Sequence, residues 1–110
     1  MGTFGLFIPQ GNTQKGEINV DGDIRIEGVF EGNLICEHTF TLGKDASFEG
    51  HIECISAHIM GSLKGSIRAF DTCVLYSSAR VHGLMDTKFA QMEKGCIFQG
   101  EILISGETTS

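Results

Sequence analysis

Apolar and polar positions along the chain fall into a five-residue unit: apolar, polar, Gly, a variable residue, apolar. Phe30-Glu31-Gly32-Asn33-Leu34 is one copy. Phe48-Glu49-Gly50-His51-Ile52, Leu63-Lys64-Gly65-Ser66-Ile67, Val81-His82-Gly83-Leu84-Met85 and Phe98-Gln99-Gly100-Glu101-Ile102 repeat it. Gln14-Lys15-Gly16-Glu17-Ile18 opens the series with a polar residue in the first position. The central glycines, at 16, 32, 50, 65, 83 and 100, are separated by 16, 18, 15, 18 and 17 residues, a mean of 16.8. Four residues after each glycine comes Val20, Cys36, Cys54, Ala69, Thr87 or Ile104. The intervening Asn19, Glu53, Arg68 and Asp86 are polar, with Ile35 and Leu103 as apolar exceptions. Alternation of this kind marks a strand with one buried face.

A second alternating stretch lies in mid-repeat, as in Ile24-Arg25-Ile26, Phe40-Thr41-Leu42, Val74-Leu75-Tyr76 and Phe89-Ala90-Gln91-Met92. Turn residues follow it in Leu42-Gly43-Lys44-Asp45-Ala46 and Glu93-Lys94-Gly95-Cys96. A 17-residue repeat with two or three short strands is too short for a meander unit. It matches one coil of a parallel β-solenoid, with coils stacked about 4.8 Å apart. The glycine column then has a cause: at a corner, a side chain would collide with the neighbouring coil. Leu84 beside Met85 leaves room for a one-residue register slip in the fifth copy.

Composition narrows the picture. The chain has 110 residues, 15 of them Gly and one Pro, so a single domain is expected. The longest stretch without Gly runs from Ser66 to His82, which disfavours a helix bundle, since each interior Gly costs about 1 kcal/mol. Eight basic against 14 acidic residues give a formal charge of −6. No basic run exists to meet nucleic acid, and no apolar run reaches the roughly 20 residues of a helical membrane span. No secretory signal is visible at the start of the sequence.

Candidate chemistry is sparse. Cys36, Cys54, Cys73 and Cys96 form no C-x-x-C pair. Cys36 and Cys54 share a repeat position and should stack as small apolar core residues; a metal or disulfide is the minor reading. The four histidines fall at different repeat positions and read as surface or corner residues. No phosphate-binding loop and no nucleophile elbow occur. Every sixth residue from 24 to 60 is apolar, which points to the left-handed hexapeptide β-helix of acyltransferases as an alternative, but Ser66, Thr72 and Ser78 break that register. No catalytic residue, metal or cofactor is expected, and the chain reads as a non-enzyme.

A short solenoid has a problem at its ends, where unpaired strand edges and the core cross-section meet water. Soluble solenoids cover them with polar caps. Neither flanking segment reads as a helical cap, so copies are expected to stack end to end, a contact that can repeat without closing.

The stretch Gly16-Glu17-Ile18-Asn19-Val20-Asp21-Gly22-Asp23-Ile24-Arg25-Ile26-Glu27-Gly28-Val29-Phe30-Glu31-Gly32-Asn33-Leu34 resembles the opening of a bactofilin domain. Leu63-Lys64-Gly65-Ser66-Ile67 and Gly95-Cys96-Ile97-Phe98-Gln99-Gly100 are similar to the family's later repeats. The likeness spans about residues 11–105. It implies an all-β, single-domain, right-handed parallel β-helix of about five to six coils at 14–106, with an apolar tail at 1–13 and a short tail at 107–110. It implies a bacterial cytoskeletal scaffold that polymerises without nucleotide into non-polar filaments at the cytoplasmic membrane. The expected partners are the chain itself, the lipid surface of the inner membrane and an unidentified cell-wall or cell-shape protein, with neither nucleic acid nor nucleotide.

Assembly residues expected at the C-terminal end are Phe98, Ile102 and Ile104, with Phe98 matching the family's aromatic residue in the last coil. Ile18, Val20, Ile24 and Ile26 are expected at the N-terminal end. The tail Met1-Gly2-Thr3-Phe4-Gly5-Leu6-Phe7-Ile8-Pro9 is apolar. Phe4, Leu6, Phe7 and Ile8 are expected to enter the membrane interface, as short apolar tails do in bactofilins. The competing reading is a short strand, with Phe4, Leu6 and Ile8 covering the first coil.

Overall fold

The computed structural model describes residues 6–104. All regular structure in it is β, and every strand pair is parallel. The strands are β1 (Leu6–Ile8), β2 (Thr13–Val20), β3 (Ile24–Ile26), β4 (Val29–Cys36), β5 (Thr39–Leu42), β6 (Ser47–Ile59), β7 (Ser62–Leu75), β8 (Arg80–Met92) and β9 (Ile97–Ile104). They wind as one continuous sheet, a parallel β-solenoid of about six coils.

The glycine column sets the coil. Gly16, Gly32, Gly50, Gly65, Gly83 and Gly100 pair with one another in register from coil to coil. All six have positive φ, between 117° and 136° for the five from Gly32 onward. A Cβ on any of those five would collide with the carbonyl oxygen of the glycine in the preceding coil. The bend at this corner divides the long strand into a first face, such as Val29 to Glu31, and a second, such as Asn33 to Cys36. The mid-repeat strand is the third face. Register in the fifth copy does not slip: Met85 follows Ile67 into the core and Leu84 stays outward opposite Ser66.

Five inward rows fill the interior. The first face contributes Phe30, Phe48, Leu63 and Val81, the second Leu34, Ile52, Ile67 and Met85, all buried. Phe30 and Phe48 stack with centroids 5.2 Å apart and planes 7° from parallel, and Phe40 meets Phe48 edge-on at 6.1 Å. Cys36, Cys54, Ala69 and Thr87 form the narrow row at the end of the second face. Thr87 is polar there, and its hydroxyl donates to the Phe89 carbonyl at 2.8 Å. The third face buries Cys73 and Leu75 rather than Val74 and Tyr76, and turns Phe89 outward.

Two corners absorb the uneven repeat length. The corner between the second and third faces holds two residues in Glu37-His38 and Phe70-Asp71 but one at Ile55 and at Lys88. The corner leading to the next coil is either a four-residue turn or a two-residue link. The four-residue turns close with a backbone bond from the fourth N–H to the first carbonyl: Asn12 to Pro9, Ala46 to Gly43, Ala79 to Tyr76, Cys96 to Glu93. The two-residue links, Glu27-Gly28 and Met60-Gly61, each lie against a wider turn. A Cβ on Gly61 would strike the Gly43 and Ala46 carbonyls of that turn. Coils of unequal length are incompatible with the strict 18-residue coil of a hexapeptide β-helix.

Candidate assembly surfaces

Among the described residues, the two ends of the solenoid hold the unpaired edges. At the first end these are β1 and β2; at the last they are β9 and the third-face part of β8, Phe89 to Met92. No helix covers either edge among the described residues. Each edge carries backbone N–H and C=O groups ready to pair with another chain.

The structure separates the expected assembly residues into two groups. Phe98 and Ile102 lie in the inward rows of β9, only half-buried because no further coil among the described residues covers them, and Ile104 is exposed. Ile18 and Val20 hold the same half-buried position on β2. Ile24 and Ile26 do not: β1 pairs over β3 and buries both completely. They sit one level inside the rod, so the third face of the first end is presented by β1 instead.

That strand also bears on the tail. Ile8 is buried against Ile26 and belongs to the core, so it is not free to enter a membrane. Phe7 points outward and is 58% exposed. Leu6 is placed only as the first residue of β1, paired with Ile24. Phe4 lies outside the described residues.

The last coil has further apolar side chains on its outer surface. Ile97 is 46% exposed and Leu103 52% exposed. In the other coils Ile97's row holds Thr13, Val29, Ser47, Ser62 and Arg80, and Leu103's holds Asn19, Ile35, Glu53, Arg68 and Asp86. Phe89 and Met92, on the neighbouring edge, are also exposed. The apolar exception at Leu103 is visible in the repeat. Its meaning is not, because an outward apolar residue matters only beside an open edge.

Little else in the molecule is arranged for chemistry. No group of three or more His, Cys, Asp or Glu among the described residues could hold a metal ion. Burial is the main force on the thiols. It pushes Cys73 up to about 12 from 9.0, and it raises Cys54 too, with the neighbouring Cys73 and Cys36 adding to the effect. Cys36 is raised by burial and donates its S–H to the Gly22 carbonyl at 3.0 Å. These are inert packing thiols. Ion pairs such as Lys15–Glu31 and Arg68–Asp86, both 3.9 Å, link adjacent coils on the solvated surface.

A solenoid whose backbone is paired throughout its length and open at both ends is a stacking module. The family model for bactofilin, described as polymer-forming cytoskeletal, matches residues 6–103. The chain belongs to the bactofilin family. It is also similar to the Thermus thermophilus bactofilin whose double helical filaments were reconstructed by cryo-EM. The TM-score is 0.79 at 24% identity, over 90% of this chain and 98% of that one. No curated protein sequence matches the chain.

Proposed function

We propose that this chain is a non-enzymatic scaffold that assembles end to end, without nucleotide, into non-polar filaments on the cytoplasmic membrane and localises cell-shape or cell-wall proteins there. The observation that carries this reading is the last coil: an eight-residue strand edge, unpaired among the described residues, that carries Phe98, Ile102, Ile97 and Leu103. Polymerisation completes its backbone ladder and covers its apolar groups.

The residues at the two ends favour like-to-like joints. A head-to-tail joint that continued the ladder would set Phe98 on Gln14 and Glu101 on Glu17. The first buries an amide against an aromatic ring, and the second stacks like charges as cross-strand neighbours. A two-fold joint through the glycine corner swaps the first and second faces and runs the strands antiparallel. At the last coil it sets Phe98 against Ile102 of the second copy, and Ile97 against Leu103 of the second copy. At the first coil it brings Lys15 opposite Glu17 of the second copy. The last-coil joint is then apolar in both of these pairs, and the first-coil joint gains an ion pair in place of a like-charge contact, although it sets Gln14 opposite Ile18 of the second copy.

Negative-stain microscopy and sedimentation of the wild type and Phe98→Arg test assembly. Wild-type filaments that disappear in the variant support it; filaments persisting in Phe98→Arg overturn the role of the last coil. Membrane association rests on the apolar N-terminal segment, with Phe7 outward beside it. A filament presents many such weak anchors, and avidity multiplies them. Phe4→Ser with Phe7→Ser removes the anchor while sparing Ile8 and the core. Liposome co-sedimentation equal to wild type in that variant refutes the anchor.

A further inference from the structure

We propose that a notch on the side of the rod, at the corner between the second and third faces, docks a basic, apolar-anchored segment of another protein. The proposal deepens the scaffold reading, on which it rests for the partner, and gives it a place on this chain.

The notch follows from chain length. Ile55 alone makes the corner in its coil, whereas Glu37-His38 makes it one coil earlier and Phe70-Asp71 one coil later. The ladder register shifts at both Cys54/Ser56 and Ala69/Thr72. A one-residue turn cannot project as far as its two-residue neighbours, so a recess of about 460 Å3 opens over it.

Apolar side chains form its floor. Ile35, Ile55 and Phe70 line it, and all three are exposed, Phe70 by 51%. Ile35 stands in an outward row that otherwise carries Asn19, Glu53, Arg68 and Asp86, with Leu103 at its far end in the last coil. None of the three touches an end joint, so polymerisation leaves them uncovered. An exposed apolar patch with a charged rim marks an interaction surface.

The rim chooses the occupant. Asp21, Glu37 and Glu53 surround the recess. Arg68, beside it, lies 5.3 Å over the Phe70 ring and 3.9 Å from Asp86, which offsets its charge. His38 reaches Asp21 at 3.8 Å. A second copy would bring the same carboxylates, on a chain of net charge −6. An anionic lipid surface would be repelled in the same way. A segment with one or two aliphatic or aromatic side chains flanked by Lys or Arg satisfies both the floor and the rim. Filaments would repeat the groove along their length, so a modest affinity per site would sum.

The test uses the full chain and a fluorescein-labelled dodecapeptide of lysines around two leucines. Controls replace the leucines by serine, or the lysines by glutamate. Fluorescence anisotropy should show salt-sensitive binding of the first peptide only. Ile55→Ser with Phe70→Ser should weaken it about tenfold or more, and Glu37→Lys should weaken it independently. Unchanged melting temperatures show that both variants are folded. Equal binding to wild type and both variants, or equal binding of the serine peptide, overturns the proposal. So does a double variant that keeps the peptide but loses lateral filament pairing, or loses phosphatidylglycerol vesicles instead; the occupant is then a second copy or lipid. Filaments are scored by microscopy in the same samples. Their absence from the wild type defeats the polymer reading alone, because anisotropy still reads the groove on the single chain.

Discussion

At the residue scale, two substituent-free positions and two thiols carry the sharpest consequences. Gly65 sits at φ 117° with the Gly50 carbonyl directly in the path of any Cβ. Gly65→Ala adds backbone strain and a steric clash that the neighbouring coil cannot relieve without breaking its ladder. The expected loss is about 3–5 kcal/mol, at the upper end for single substitutions. Urea unfolding in a Phe98→Arg background, which limits assembly, measures it. Gly61, in its two-residue link, should respond in the same direction. The buried thiols give a pH dependence with a definite sign. Cys54 and Cys73 stay protonated in the folded rod, while the unfolded chain releases its protons near 9.0. Folded chains then hold more protons than unfolded ones, so the stability is intact below pH 9 and falls as the pH rises toward 12. Denaturation between about pH 8 and 10.5 should show this decline, and Cys54→Ala with Cys73→Ala should flatten it. The glycine column was legible from the sequence because only glycine meets its two demands at once, positive φ and closeness to the next coil. The burial of Ile8 was legible only as the second of two readings, a short strand over the first coil. With Leu6, Phe7 and Ile8 all apolar, the sequence marks no polar outward face that would decide between strand and membrane anchor. What decides for Ile8 is that β3 leaves an open ladder to pair with.

At the scale of elements, each coil is stabilised by its two neighbours, and the aromatic row shows how. Phe48 stacks on Phe30 and receives the edge of Phe40, so it joins two coils and two faces. Phe48→Ala removes that contact and leaves a cavity walled by rigid strands. We expect a loss of about 3–5 kcal/mol. Val81→Ala, in the same row but smaller, should cost less. Comparing the two urea midpoints checks the order; equal losses would mean that the row does not act through packed volume. The inward rows were readable from apolar alternation alone. The corners were not, because the interval between glycines reports only their combined length. The 15-residue interval could have lost residues anywhere. Only the register locates the shortening at Ile55 and at Met60-Gly61, and with it the notch. Phe89 illustrates the same ambiguity. Its neighbours allow either face, and the single-residue corner at Lys88 decides that Ala90 and Met92 take the inward rows of Cys73 and Leu75.

At the scale of the whole molecule, the unlike ends make polarity a measurable property of a single variant. In a head-to-tail filament every junction uses both ends. A charge at Phe98 then breaks all junctions and leaves monomers of 11.9 kDa. With two-fold joints the outcome differs. The joint between last coils is lost, but the joint between first coils, with Lys15 opposite Glu17 of the second copy, is untouched. Phe98→Arg should therefore run as a dimer of twice the chain mass in size-exclusion chromatography with light scattering. Adding Glu17→Lys sets ammonium against ammonium across that remaining joint, and the dimer should dissociate to monomer. In a head-to-tail filament the same Glu17→Lys change, made alone, would replace the Glu101–Glu17 repulsion with attraction and strengthen assembly. Two-fold pairing predicts the reverse, a filament weakened at every second joint. A monomeric Phe98→Arg together with stronger filaments in Glu17→Lys would overturn the non-polar arrangement while leaving end-to-end stacking intact.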